Sequence, residues 1–358
     1  MDFDDGEVVK LLGRLSNAKA PSGFEDETIG VVRDFCAGWA QVEENSLRDG
    51  FIVPSNFSGE KPVLMFDAHG DEVGCMVKAI RQNGTMSFVE LGRFAAGTLA
   101  GQDVYVHATD GRWVHGVVGV KPPHFMSAAE KDAGTAPELI LDVGATSRAD
   151  ALERFCMGIG EPVVPATEFS FDSRTGIAVG KAFDCRAGVC ALLLALRELS
   201  SRADLAFDVV ASISGQEEVG ERGVAAAARR FSPMLAYMFE GCPADDTFVQ
   251  GDEVQTALRQ GPMLRYFDRC MITNPRYQRF VLAVARKLHL PHQVSVRSGG
   301  GTDGGPVHLM DIPCVVAGVP CRYIHAGTAI CALEDVESSA SLAVGVASAL
   351  TEEIARGF

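Results

Sequence analysis

With 358 residues, 47% hydrophobic and 22% charged, the chain is long enough for a large core plus a smaller unit and too apolar to be disordered. Its formal net charge of -15 excludes the basic face of a nucleic-acid groove and implies only solubility and mild repulsion of acidic partners. The acidic start MDFDDGEVVKLLGRL is not a signal peptide, no apolar run nears the ~20 residues that span a bilayer, and the ten cysteines include no CxxC pair, so a cytoplasmic protein with free buried thiols and no membrane partner is expected.

In chain order, the pattern predicts a helix over about Glu7 to Ala18, a turn at residues 20–23 and a second helix over Thr28 to Cys36. The short apolar run PVLMF, residues 62–66, reads as a buried strand. From about Cys75 to Pro165 short apolar stretches alternate with turn residues, and residues 104–106 and 113–114 read as antiparallel strands. This segment is expected to be a small β-rich domain (75–165) inserted into a larger one (1–74 and 166–358). After Gly180 helices and strands alternate. A buried helix over Ala187 to Leu199 is followed by a strand at 207–210, a helix near Gly223 to Arg230 and a strand at 234–239. A helix near Tyr277 to Leu288 and a strand at 312–316 complete the series. This order implies an α/β fold with a mostly parallel sheet covered on both faces.

Ionisable residues gather where the predicted strands end. His69 and Asp71 follow the first, Glu217 and Glu218 the second, Glu240 the third, and His325 lies beyond the last; Asp184 stands just before the buried helix. Ligands of open α/β sheets bind in the crevice beyond the carboxyl ends of the strands, so these residues can converge. Imidazole and carboxylate are the donors that zinc and its first-row neighbours accept, and a divalent cation relieves the repulsion of crowded acids. Singly, each residue also has a structural reading; Asp184, for example, suits a helix cap. Asp71 is a candidate to orient His69 through its second ring nitrogen. In extended backbone Glu217 and Glu218 point to opposite sides, so one can bind metal while the other acts as a general base.

The segments APSGFE (20–25), DAHGDEVG, GKAFDCRAG, GQEEVGERG, FEGCPADD, GGGTDGGPVHL and RYIH, in this order, resemble the glutamyl aminopeptidase and tetrahedral (TET) aminopeptidase family. The resemblance implies a zinc-peptidase-like fold, a mixed and mostly parallel sheet with helices on both faces, and a barrel-like insert used for dimerisation. It also implies two divalent metal ions per subunit, zinc first with cobalt or manganese as alternatives. His69 and Glu240 would hold one ion, Asp184 would bridge both, and Glu218 and His325 would complete the second. Glu217 would be the general base acting on a metal-bridged water, and Asp71 the orienting acid. The substrates would be peptides with a free N-terminus, and the assembly a homo-oligomer of dimers, often a tetrahedral dodecamer.

Two residues depart from the family pattern. Cys185 stands where Asp or Asn usually follows the bridging acid, and Cys242 where Thr is common. A thiol beside the metals would shift metal preference or add sensitivity to oxidation. The glycine-rich stretch 299–305 lacks the Gly-Lys-Ser/Thr ending of a phosphate loop and reads as a tight turn near the site, with His308 structural. Two other functions compete: a glycosidase using Glu217 with Glu240 or Asp184, which leaves the histidines without purpose, and a non-catalytic scaffold.

Overall fold

A computed structural model describes residues 3–127 and 138–358; residues 128–137 of the expected insert lie outside the described residues. Helices α1 (Asp5–Asn17) and α2 (Asp26–Cys36) lead into the strands β1 (Ala40–Glu44), β2 (Gly50–Pro54) and β3 (Val63–His69). Next come β4 (Gly74–Ile80), β5 (Met86–Leu91), β6 (Asp103–His107), β7 (Trp113–Gly119), β8 (Ile140–Asp142), helix α3 (Arg148–Glu153) and β9 (Pro162–Pro165). Strands β10 (Ser170–Asp172) and β11 (Ile177–Gly180) precede the long helix α4 (Phe183–Ser200), β12 (Asp208–Ser214), α5 (Val224–Phe231) and β13 (Leu235–Pro243). The remainder is β14 (Met263–Phe267), α6 (Pro275–Lys287), β15 (Gln293–Val296), α7 (Gly304–His308), β16 (Cys314–Arg322), β17 (Ala329–Ala332), α8 (Leu333–Ala349) and α9 (Glu352–Ala355).

The chain divides into two compact units. The first comprises residues 1–72, 169–324 and 329–358, and the second Val73–Glu168 together with His325–Thr328.

The first unit holds an 11-stranded sheet ordered β1-β2-β12-β3-β13-β16-β17-β11-β10, with β14 and β15 attached through β16. Its centre, β12-β3-β13-β16, is parallel, and antiparallel strands extend it on both sides. The mixed α/β architecture follows the sequence reading, with parallel pairing in that centre and in the added pair β14 and β15.

Period-two alternation explains why the central strands read as continuous apolar runs. Leu64, Phe66, Tyr237, Phe239, Val315 and Ala317 enter one core with α1, α4 and α8. Met65, Val210, Ala236, Met238 and Val316 enter another with Val224 and Ala227 of α5. Helix α4 is buried nearly all round and packs against β3, β13 and α8. Helix α1 is capped by the Asp4 side chain, which accepts from the Gly6 and Glu7 amides at 2.9 and 3.2 Å, and turns Val8, Leu11, Leu12 and Leu15 inward.

In the second unit β4-β5-β8-β7-β6-β9 close into an antiparallel barrel around Val77, Val104, Val106, Val118, Leu141 and Val163. Closure removes the free sheet edges that so small a β unit would otherwise expose.

Candidate metal centre

Strands β12, β3 and β13 run parallel, so their carboxyl ends share one edge of the sheet. Register pairs Ser214 with His69 and Met238 with Asp67, which brings Glu240, two residues further on, to the level of His69. Helix α4 starts beside them with Asp184. Its approach depends on Gly241, where a Cβ would stand 2.2 Å from the Phe183 carbonyl oxygen and 2.6 Å from the Asp184 Cα. Gly241→Ala must therefore displace Asp184, and if Asp184 belongs to a catalytic centre a shift of about 1 Å is expected to cost about 10²-fold in turnover. Activity and metal stoichiometry of the variant check this together.

His69 is buried at the centre of the cluster. Its Nε2 lies 3.0 Å from Asp184 Oδ1, 3.3 Å from Glu240 Oε1 and 3.9 Å from Glu217 Oε2. Ligand atoms of His69, Asp184 and Glu218 all fall within 4.8 Å of one another, as do those of His69, Cys185 and Glu240. On the other side of the ring, Nδ1 faces the Asp71 backbone oxygen at 3.2 Å and its Oδ1 at 3.4 Å. One nitrogen is thus anchored and the other faces the acids, as a metal-binding histidine requires.

Glu217 and Glu218 are not in extended backbone: they lie in a turn after β12, and both side chains serve the same cluster. The turn is held by carboxylates. Asp49 Oδ1 accepts from the Gly215 amide at 2.8 Å and Glu25 Oε1 from that of Gln216 at 3.0 Å, while Asp71 takes those of Glu217 (3.0 Å) and Glu218 (3.2 Å). Asp71 also accepts from the Ser22 hydroxyl at 2.6 Å. Burial would raise its pKa, but hydrogen bonds from His69, Ser22 and the Glu217 amide hold it below the ordinary carboxylate value, so it stays ionised.

Glu25 behaves in the opposite way. Burial, with the Asp71 charge adding to it, pushes its carboxyl from 4.5 to about 8. Between these values the folded chain keeps a proton that the unfolded chain has released, so this group makes stability fall as pH rises through that window. Glu25→Gln is expected to flatten the slope, read as urea midpoints compared across the window.

Burial also pushes Glu217 well above the carboxylate range, opposed by the His69 charge and reinforced by Glu240, Glu218 and Asp71. Glu240 is raised by burial as well, against His69 and with Asp184 adding to the rise. Four carboxylates around one imidazole repel each other and lose hydration, and a divalent cation is the partner that relieves both effects. The donor set, one nitrogen and several carboxylate oxygens, suits zinc, cobalt or manganese.

The cluster thus contains His69, Asp71, Asp184, Glu217, Glu218 and Glu240 from the first unit. His325 belongs to the second unit, where its Nδ1 lies 2.7 Å from the Arg93 carbonyl oxygen. Two further buried acids, Asp67 and Asp303, carry no assigned role in the sequence, although Asp303 lies in the glycine-rich stretch 299–305 expected near the site. Asp67 accepts from the Ser214 hydroxyl at 2.5 Å, and burial raises its pKa to about 7. Burial, Asp67 and Glu217 raise Asp303 well above its ordinary value. The available signal was period two: Asp67 shares a strand face with His69. His308 is exposed at the end of α7.

A family model described as M42 glutamyl aminopeptidase matches residues 50–342. A glutamyl aminopeptidase of Lactococcus lactis is 31% identical, with 98% of each chain covered. A TET aminopeptidase from a marine sediment archaeon of the Thaumarchaeota has a similar structure, with a TM-score of 0.93 and 32% identity over 98% of this chain and 99% of that one. A TET1 peptidase of Pyrococcus horikoshii, which can assemble into a tetrahedron or a large octahedral shell, gives 0.85 and 26% over 96% and 100%.

Proposed function

Since the chain belongs to the M42 glutamyl aminopeptidase family and is a peptide hydrolase, we propose that it is a two-metal aminopeptidase removing N-terminal residues from peptides, with Glu217 as general base. The observation that carries this reading is the ring of carboxylates around His69 Nε2. In this reading His69 and Glu240 would hold one ion, Asp184 both, and Glu218 the other, with His325 the further ligand that the family resemblance implies. Bound there, two divalent cations supply Lewis acidity at the scissile carbonyl and lower the pKa of the attacking water.

The chain's own residues do the remaining work. Glu217 accepts the proton of the attacking water and passes it to the leaving amine. Asp71 fixes the His69 ring and, through two amides, the turn that presents Glu217 and Glu218. Ionised Asp71 therefore couples the orientation of the ligand to that of the base.

The ten cysteines are free, which supports a reducing, cytoplasmic setting, and no helix among the described residues is long and apolar enough to cross a membrane. By analogy with TET1 peptidase structures, one of them a dodecamer, the protein is a homo-oligomer, with the second unit as the dimerisation element that the family resemblance implies and a tetrahedral dodecamer as the assembly.

The test is hydrolysis of acidic, basic and aliphatic aminoacyl-p-nitroanilides before chelation, after it, and after adding back Zn²⁺, Co²⁺ or Mn²⁺. Amino-terminal cleavage that disappears on chelation and returns with metal is the expected result. Activity that survives complete metal removal would overturn the reading in favour of the carboxylate-pair glycosidase or another metal-free hydrolase.

A further inference from the structure

One donor at the cluster has no part in the ligand assignment above. Cys185 follows Asp184 directly and is fully buried. Its Sγ and ligand atoms of His69 and Glu240 lie within 4.8 Å of one another, and all three residues are buried. His69 and Glu240 are the pair assigned to a single ion.

The packing makes room for this sulfur. A Cβ on Gly188, one turn further along α4, would stand 2.5 Å from Cys185 Sγ and 3.0 Å from the Glu240 amide nitrogen. The bare glycine lets the thiol lie between α4 and β13, at the backbone of Glu240 itself. The thiol donates to the Phe239 carbonyl oxygen at 3.4 Å, a weak sulfur contact that a bond to a cation readily outweighs.

We propose that Cys185 supplies a thiolate to the ion held by His69 and Glu240, giving that ion a nitrogen, oxygen and sulfur donor set. The inference rests on the two-metal reading above. As the ion enters, the Sγ–H bond breaks, its proton passes to solvent, and a sulfur–metal bond forms without any redox change. Such a donor set selects zinc or another thiophilic first-row ion over manganese at this position, while the position assigned to Glu218 and His325 keeps oxygen and nitrogen donors. The two ions of one subunit then differ in chemical softness, and loading the sulfur-bearing position from a mixture of metals favours zinc.

X-ray absorption on the full-length zinc-loaded protein tests this without relying on turnover. The expected spectrum contains a sulfur shell at about 2.3 Å, one sulfur for every two zinc ions, beside nitrogen and oxygen at about 2.0–2.2 Å. That shell disappears in Cys185→Ser while zinc remains bound, and persists in Cys242→Ser. Zinc bound without sulfur in the unsubstituted protein overturns the thiolate and leaves the two-metal reading standing. A sulfur shell that survives Cys185→Ser, or is lost in Cys242→Ser, assigns the sulfur elsewhere and also overturns the proposal. Should the Cys185→Ser chain fail to fold, the unsubstituted spectrum together with Cys242→Ser decides the case by the same criteria. Failure of the protein to bind zinc overturns the thiolate, and failure to bind zinc, cobalt and manganese alike overturns the two-metal reading as well.

Discussion

Glu217→Gln is expected to lower kcat for peptide hydrolysis by about 10²–10⁴-fold with the metal content unchanged. The substitution keeps the size and hydrogen-bonding shape of the side chain and removes only its capacity to accept a proton. The backbone amide at this position still donates to Asp71, so the turn and Glu218 stay in place. Glu217 Oε2 is also the most distant of the three carboxylate oxygens measured around His69 Nε2, at 3.9 Å against 3.0 and 3.3 Å, as suits a residue that works on substrate. Steady-state rates with bound metal measured on the same samples check the prediction. A variant that turns over at the normal rate would assign the proton transfer to another group, and one that loses metal would make Glu217 a ligand.

The second large effect concerns stability. Glu72→Gln is expected to destabilise the fold by about 3–5 kcal/mol, the usual consequence of leaving a buried charge without its partner. The Glu72 carboxylate accepts from Lys181 Nζ at 2.5 and 2.6 Å and from the Ala20 amide at 3.1 Å, with an Arg186 nitrogen at 3.7 Å. All three charged side chains are buried. Burial pulls Lys181 down to about 8 even with Glu72 beside it, so removing that acid lowers it further and favours loss of the ammonium proton. Lys181→Met in the same chain should return part of the loss, because the pair is then removed as a unit. Urea unfolding of the single and double variants measures both changes. A single variant as stable as the parent would show that the two cations find other partners.

The parts of this molecule that were legible in the sequence share a physical origin. Strands β3, β12 and β13 bury both faces, so they stand out as unbroken apolar runs, and the polar residues that interrupt them mark the edge where the cluster forms. Helix α8 leaves little helical signal in the sequence. Of its residues LEDVESSASLAVGVASA, 11 of 17 are buried, and the outer side carries mostly small residues besides Glu334 and Glu337, so the helical period is weak; the helix packs on α4 and α6. Strand β2 and the added pair β14 and β15 owe their extended form to partners distant in sequence. At the site, residue types and their places at strand ends indicated His69, Glu217, Glu218 and Glu240, but the separate roles came from the family resemblance. The extended backbone expected at Glu217 and Glu218 is overridden by Asp49, Glu25 and Asp71, whose hold on four successive amides is visible only in three dimensions. The cysteine after Asp184 stood out as unusual; its closeness to Glu240 depends on the helix–strand approach permitted by Gly188 and Gly241.

The order of segments along the chain also sets the order in which they can fold during synthesis. Strand β3 leaves the ribosome long before either neighbour, β12 or β13, exists, and must wait with both apolar faces uncovered. The barrel strands β4 to β9 emerge next as an uninterrupted series that pairs within itself. The barrel is therefore the first part of the nascent chain able to close, and the large sheet can begin to condense around β3 only after residue 214 has emerged. His69 gains its full set of first-unit acids later still, once Glu240 has been made. A chain released before that point carries an exposed strand and an incomplete set of ligands, and so presents a surface for chaperones or proteases and no chemistry.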